Sequence, residues 1–262
     1  VTGAVAPRGP GAAARAARAV LRAVAVFAAC IAVWWLAVAL FGIPAYLLPG
    51  PDVVARKLIF LATAAQLERH VAATVAEIVL GFALGAAIGV TCGWLFDRLP
   101  LIGRLLSPTI LLLQTAPKIA IAPLLLLWLG LGLGPKLVLV AIVVFFPVLA
   151  GTLAGLGGVE PAYRDLARLL RLGAMARFAR IDLPFALPPI FAGLRIASTQ
   201  AVTAAVVGEL IGASAGLGYL LSMGQENNDA GVAIAAIAML CAVGWALHEL
   251  VRAVEGRILG AR

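Results

Sequence analysis

The segment Asp165–Pro184, DLARLLRLGAMARFARIDLP, places four arginines and two aspartates in twenty residues. The run just before it, residues 137–159, contains no Asp, Glu, Lys or Arg, and residues 23–51, 78–96 and 230–247 are likewise uncharged. Each run is long enough to span a bilayer, which takes about 20 mostly apolar residues. In lipid the backbone must satisfy its own hydrogen bonds, so runs of this length are helices. Overall, 63% of the 262 residues are hydrophobic and 12% are charged, against roughly 25% charged in soluble domains. The expected fold class is an all-α polytopic membrane protein. The charged segment is then a loop element between two spans.

Six spans are expected, at about 22–42, 72–96, 102–130, 134–157, 186–211 and 230–251. Residues 1–21 form an Ala/Arg-rich tail, and 22–262 form the membrane domain. The first run is too long for a signal-peptide core of about 7–15 residues, so a retained span is expected despite the Ala37-Val38-Ala39 triplet. The third span holds Pro108, Pro117 and Pro123, which predict a kink or break. An even span number puts both termini on one side. On that side lie Arg8, Arg15, Arg18, Arg22, Arg98, Arg104, Arg164, Arg168, Arg171, Arg177, Arg180, Arg195, Arg252, Arg257 and Arg262, fifteen of the twenty basic residues. Arg56, Lys57, Arg69 and Lys136 fall opposite. A basic excess marks the cytoplasmic face, which predicts cytoplasmic termini and a cytoplasmic Asp165–Pro184. The net charge of +8 is thereby explained without nucleic acid.

Gly81, Gly85, Gly89 and Gly93 share one helix face, where a neighbouring helix can approach closely. Residues 43–58, IPAYLLPGPDVVARKL, combine turn chemistry with a short interfacial helix. Cys30, Cys92 and Cys241 lie in apolar runs without metal-ligand spacing, so no metal site is expected. The chain has no G-x-x-x-x-G-K-[ST] and should not bind ATP by itself. GASAG (212–216) matches the G-x-S-x-G pattern. Of its candidate bases, His248 falls most of a bilayer away from Ser214 and His70, on the same side, has no evident acidic orienter, so a small-residue loop re-entering the protein is the better interpretation.

In the charged segment, Arg164, Arg168 and Arg171 share one helical face, while Leu166, Leu169, Leu170 and Gly173 form another. Gly173 can end the helix, and Pro184 suits the first turn of the following span. An ordered helix with an apolar stripe needs a partner groove, which a plain solvated loop does not.

This segment resembles the EAA motif of ABC importer permeases, E-A-A-x3-G-x9-I-x-L-P. Ile181, Leu183 and Pro184 match its end. Asp165, Leu166 and Ala167 occupy the E-A-A positions. The glycine position falls on Arg171, a departure for which Gly173 offers a substitute. Further blocks resemble the nitrate/sulfonate/taurine branch: LLPGPDVV (47–54), GFALGAAIGVTCGWL (81–95), LLQTAPKIAIAPLLLLWLGLGLGPK (112–136), FFPVLAGTLAGL (145–156), LPFALPPIFAGLRIA (183–197) and VVGELIGASAGLGYL (206–220). The resemblance covers roughly residues 45–260. It implies a permease subunit of the bacterial inner membrane that works as two copies with two ATP-binding subunits. ATP and Mg would bind on those subunits and no cofactor on this chain. A periplasmic or lipid-anchored binding protein would deliver the solute, and Asp165–Gly173 would be the coupling helix. Asp165 is expected in its first turn, where it favours the dipole, caps the helix or pairs with an ATPase arginine.

Charges within spans are functional candidates by default. Lys118 follows Gln114, Thr115 and Pro117 in the broken span. Either it faces an anionic substrate in the pathway or it forms a buried ion pair with Glu77 or Glu209. Thr199 and Thr203, with Ser198 and Gln200, make the fifth span polar, for pathway lining or for interhelical hydrogen bonds. Arg195 is expected to snorkel. A secondary transporter without an ATPase is the alternative class. Among ABC importers, a carrier of aromatic or vitamin-precursor substrates is the alternative to an anion carrier.

Overall fold

A computed structural model describes residues 12–64 and 67–260. The chain order is α1 (Ala12–Phe41), α2 (Pro51–Ala64), α3 (Leu67–Arg98), α4 (Pro100–Thr115), a 3-10 turn (Lys118–Ile121), α5 (Ala122–Leu129), α6 (Leu133–Gly157), α7 (Pro161–Leu169), α8 (Ala174–Arg177), a π-helical turn (Phe178–Asp182), α9 (Leu183–Gly212), α10 (Leu217–Glu226) and α11 (Ala230–Gly260). Five helical segments are long and apolar enough to cross a membrane, and six if the bent α4–α5 pair counts as one. This agrees with the expected count. The axes before and after residues 116–117 diverge by 82°, so the third span is broken where Pro117 removes a backbone donor.

α6 is the centre of the bundle, and glycines decide what touches it. A Cβ on Gly81 would stand 2.6 Å from the Val140 side chain, one on Gly85 2.5 Å from the Ala141 carbonyl, and one on Gly93 2.6 Å from Thr152. The Gly81–Gly93 stripe therefore seats α3 on α6 within one chain. On the other side of α6, Gly151 faces the Pro189 carbonyl and Gly193 faces the Pro147 carbonyl, each at 2.5 Å from a notional Cβ. Ile78, Leu139, Val140, Val144, Val148, Ala197, Ala201 and Ala205 fill the seams. A second apolar cluster joins α2, α10 and α11 through Val54, Leu61, Leu217, Leu220, Ala235 and Ala236. In α1, the window Val24–Phe41 has no buried residue.

Several local expectations are corrected. The fifth span begins before 186: α8, the π turn and α9 form one 39-residue helical path, Ala174–Gly212. The π turn ends just before Pro184, whose ring cannot fit a regular α-turn against the carbonyl four residues back. α10 is an additional helix in the loop after α9. The helix expected over 165–173 instead runs Pro161–Leu169, because Pro161 is favoured in a first turn. Asp165 is thus in the second turn and pairs with Arg168 at 2.7 Å. Gly173 has ordinary extended backbone. The left-handed residue after the helix is Arg171, at φ 48°. Arg195 does not snorkel freely but pairs with Glu255 of α11.

Candidate functional site

Two regions carry functional chemistry. The first is a cavity of about 420 Å³ between the α4–α5 break, α6 and α9. Gln114, Lys118, Phe146, Gly151, Gly193 and Gln200 are among its lining residues. The break at Pro117 turns Lys118 back so that its Nζ donates to the Gln114 carbonyl at 2.5 Å. The ammonium also lies 5.0 Å from the centre of the Phe146 ring. Of the two sequence-based alternatives for Lys118, the ion pair with Glu77 or Glu209 does not form. Thr115 and Thr199 bond back to the Leu112 and Ile196 carbonyls at 2.9 and 2.8 Å. Neither they nor Thr203 line the cavity. Thr199, Gln200 and Thr203 form one exposed polar strip along α9.

The second region is the Asp165–Pro184 segment. On α7 only Ala167 is buried, while Leu166, Leu169 and Leu170 are 46%, 82% and 60% exposed. The leucine stripe has no partner within the described residues. The arginines behind it are engaged. Arg164 reaches Asp97 at 3.5 Å and donates to the Leu156 carbonyl at 2.7 Å. Arg177 reaches Asp97 at 3.6 Å and Asp182 at 2.9 Å. Arg98 reaches Asp182 at 3.6 Å and donates to the Ala174 carbonyl at 2.6 Å. Sequence reasoning counted these arginines as topology signals. No periodicity links Asp97 to a loop eighty residues later.

At the opposite end, Lys136 lies against Glu77 at 2.6 Å, both almost wholly buried. Lys136 was expected on the face opposite the arginines, at the start of a span, and α6, from Leu133, carries it inside against Glu77. The GASAG loop is a cradle for Glu209. Thr74 and the Gly218 amide donate to the Glu209 carboxylate, and the Leu217 amide donates to Thr74 Oγ1 at 2.8 Å. Gly216, at φ 130°, leaves no room for a side chain beside that carboxylate. The His70 ring accepts from the Gly216 amide at 3.2 Å, and Ser214 stays exposed. This is loop packing, with no nucleophile–base pair at Ser214. Among the described residues no cluster suits a metal ion.

Residues 85–260 match the model of the family described as "Binding-protein-dependent transport system inner membrane component". The chain is 32% identical to a "Probable ABC transporter permease protein" of Haemophilus influenzae, over 88% of this chain and 97% of that protein. It is 30% identical to the taurine transport system permease protein of Escherichia coli K12, over 92% and 90%. Its fold matches an inward-facing structure of the MetNI methionine ABC transporter with TM-score 0.58 and 19% identity, over 72% of this chain and 95% of that one. The chain belongs to the binding-protein-dependent transport system inner membrane component family: it is the membrane permease subunit of an ABC importer, and ATP is hydrolysed by a separate subunit.

Proposed function

We propose that this permease imports a small anion, a sulfonate or taurine-like solute, through a pathway between two copies of the chain. The observation that carries this reading is Lys118, a half-buried ammonium in the wall of the cavity at the broken helix. A positive charge inside a spanning helix is costly unless it serves a pathway or a partner. The polar strip Thr199–Gln200–Thr203 supports a paired arrangement, since an exposed polar face on α9 suits an aqueous path better than lipid. The Gly81–Gly93 stripe is covered by α6, so the pairing surface lies elsewhere, on the cavity side of α5, α6 and α9.

The arginine-rich face is cytoplasmic in this reading, with both termini on that side. α7 docks on the ATPase, its leucines entering a groove there. ATP and Mg bind on the two ATPase subunits, and this chain holds no cofactor. A periplasmic or lipid-anchored binding protein delivers the solute at the opposite face. Charged-loop topology supports the orientation.

The test is copurification with the ATPase, then uptake of taurine and alkanesulfonates into liposomes with the binding protein present. Cysteines at 165–170 should crosslink to the ATPase. Crosslinking from 97–104 but never from 165–170 would refute the docking assignment. Import of uncharged solutes with no anion import would refute the substrate class.

A further inference from the structure

We propose that Asp97 and Asp182 are positioning residues for energy coupling, which make α7 and α8 move as one body with the basic end of α3. The inference rests on the reading of α7 as the ATPase-docking helix.

Apolar packing does little to hold α7. Ala167 is its one buried residue, and its leucines face away from the bundle. Beyond it, the backbone turns through a left-handed Arg171 before α8 begins. A helix held so weakly would pivot when pushed, and the push would dissipate. Beside the Tyr163 ring, which packs on Phe185 of α9 at 4.6 Å between centroids, what joins it to the bundle is a chain of alternating charges, Arg164–Asp97–Arg177–Asp182–Arg98. Its members come from α7, the end of α3, α8 and the π turn. Each aspartate is shared by two arginines, so removing one carboxylate releases two links. The chain is anchored at both ends on backbone, by Arg164 on the Leu156 carbonyl and by Arg98 on the Ala174 carbonyl. α3 in turn is seated on α6 by its glycines, and the π turn runs directly into α9.

Topology alone does not explain these groups. Arginines that set orientation need only face water. Here the Asp182 side chain is 1% exposed and those of Arg98 and Arg177 are 20% and 21%, and burying such charges is costly unless they are paired. Asp182 Oδ1, Arg98 Nε and Arg164 Nε are buried without hydrogen-bond partners.

The experiment uses the full transporter in liposomes, in a chain whose Cys30, Cys92 and Cys241 are replaced by alanine. Spin labels go on Leu95→Cys at the end of α3 and Ala162→Cys on α7. Their separation is read without nucleotide and with ATP plus vanadate. Expected is one separation in both states for the parent chain. Asp97→Asn and Asp182→Asn should each show a nucleotide-dependent shift that the parent lacks. In a separate crosslinking series, Leu169→Cys should still crosslink to the ATPase in the parent and in each aspartate variant. A shift in the parent chain, or no shift in assembled variants, overturns the proposal. If Asp182→Asn fails to assemble, Arg164→Gln at the more exposed end decides by the same readout. Absence of the parent's Leu169→Cys crosslink would instead overturn the docking assignment on which the inference stands.

Discussion

Lys136 Nζ sits 2.6 Å from Glu77 Oε1 across the α3–α6 seam, at the end of the bundle opposite the arginine-rich face. Each side chain is at most 7% exposed, so neither charge has water to fall back on. Removing one member should therefore cost far more than removing both. Lys136→Met is expected to destabilise the chain by about 3–5 kcal/mol by stranding the carboxylate. Glu77→Gln combined with Lys136→Met should recover most of that loss. Thermal unfolding of the purified variants in detergent checks the pair, and equal loss in the single and double variants would show that the ion pair is not what holds the seam.

Arg171 occupies the glycine position of the EAA pattern and adopts φ 48°. The left-handed conformation costs an L-residue roughly 1–2 kcal/mol. Arg171→Gly should relieve part of it and slow local opening of residues 168–173. Hydrogen exchange of that peptide is the measurement. Gly173→Ala should be nearly silent, because Gly173 is extended and a Cβ there meets nothing within 4 Å.

Lys118 lines the cavity and has no carboxylate partner among the described ion pairs. Lys118→Ala should leave assembly intact and raise the KM for anion uptake by about tenfold, the equivalent of about 1.4 kcal/mol. Uptake per assembled complex is the readout. Unchanged uptake in a normally assembled variant would remove Lys118 from the pathway.

Asp229 caps α11 and pairs with Lys57 of α2. Partial burial pushes its carboxyl upward, but the Lys57 ammonium and the Val232 and Gly231 amides outweigh that and hold it below the usual carboxylate range. A depressed folded value means that the stabilisation is present above the unfolded value of about 3.9 and is lost as pH falls through the folded value. The parent chain should therefore lose more stability than Asp229→Asn between about pH 5 and pH 3. Both groups are about a third exposed, so the difference should stay under about 1 kcal/mol. Melting temperatures across that range give the comparison.

Apolar run length, the arginine asymmetry and the four-residue glycine spacing made the spans, their number and the close helix approach legible in sequence. These signals are local: an uncharged run of sufficient length has one stable form in lipid. The break at Pro117 and the existence of a two-faced helix before Gly173 were legible for the same reason, since proline and helical periodicity act within a turn or two, although the helix, expected over 165–173, runs Pro161–Leu169. Contacts between distant residues were not. Lys136 looked like an outer-face charge at the start of a span, and nothing in the sequence paired it with Glu77. Lys118 looked able to meet Glu77 or Glu209 until the broken helix turned it toward Phe146. Arg164, Arg177 and Arg98 read as orientation signals, and only folding brought them to Asp97 and Asp182. Glu209 gave no sign that the glycines seven and nine residues later would wrap it. An ion pair depends on which helix faces lie opposite, and that is decided by the packing of α3 and α9 on α6, which no local period encodes.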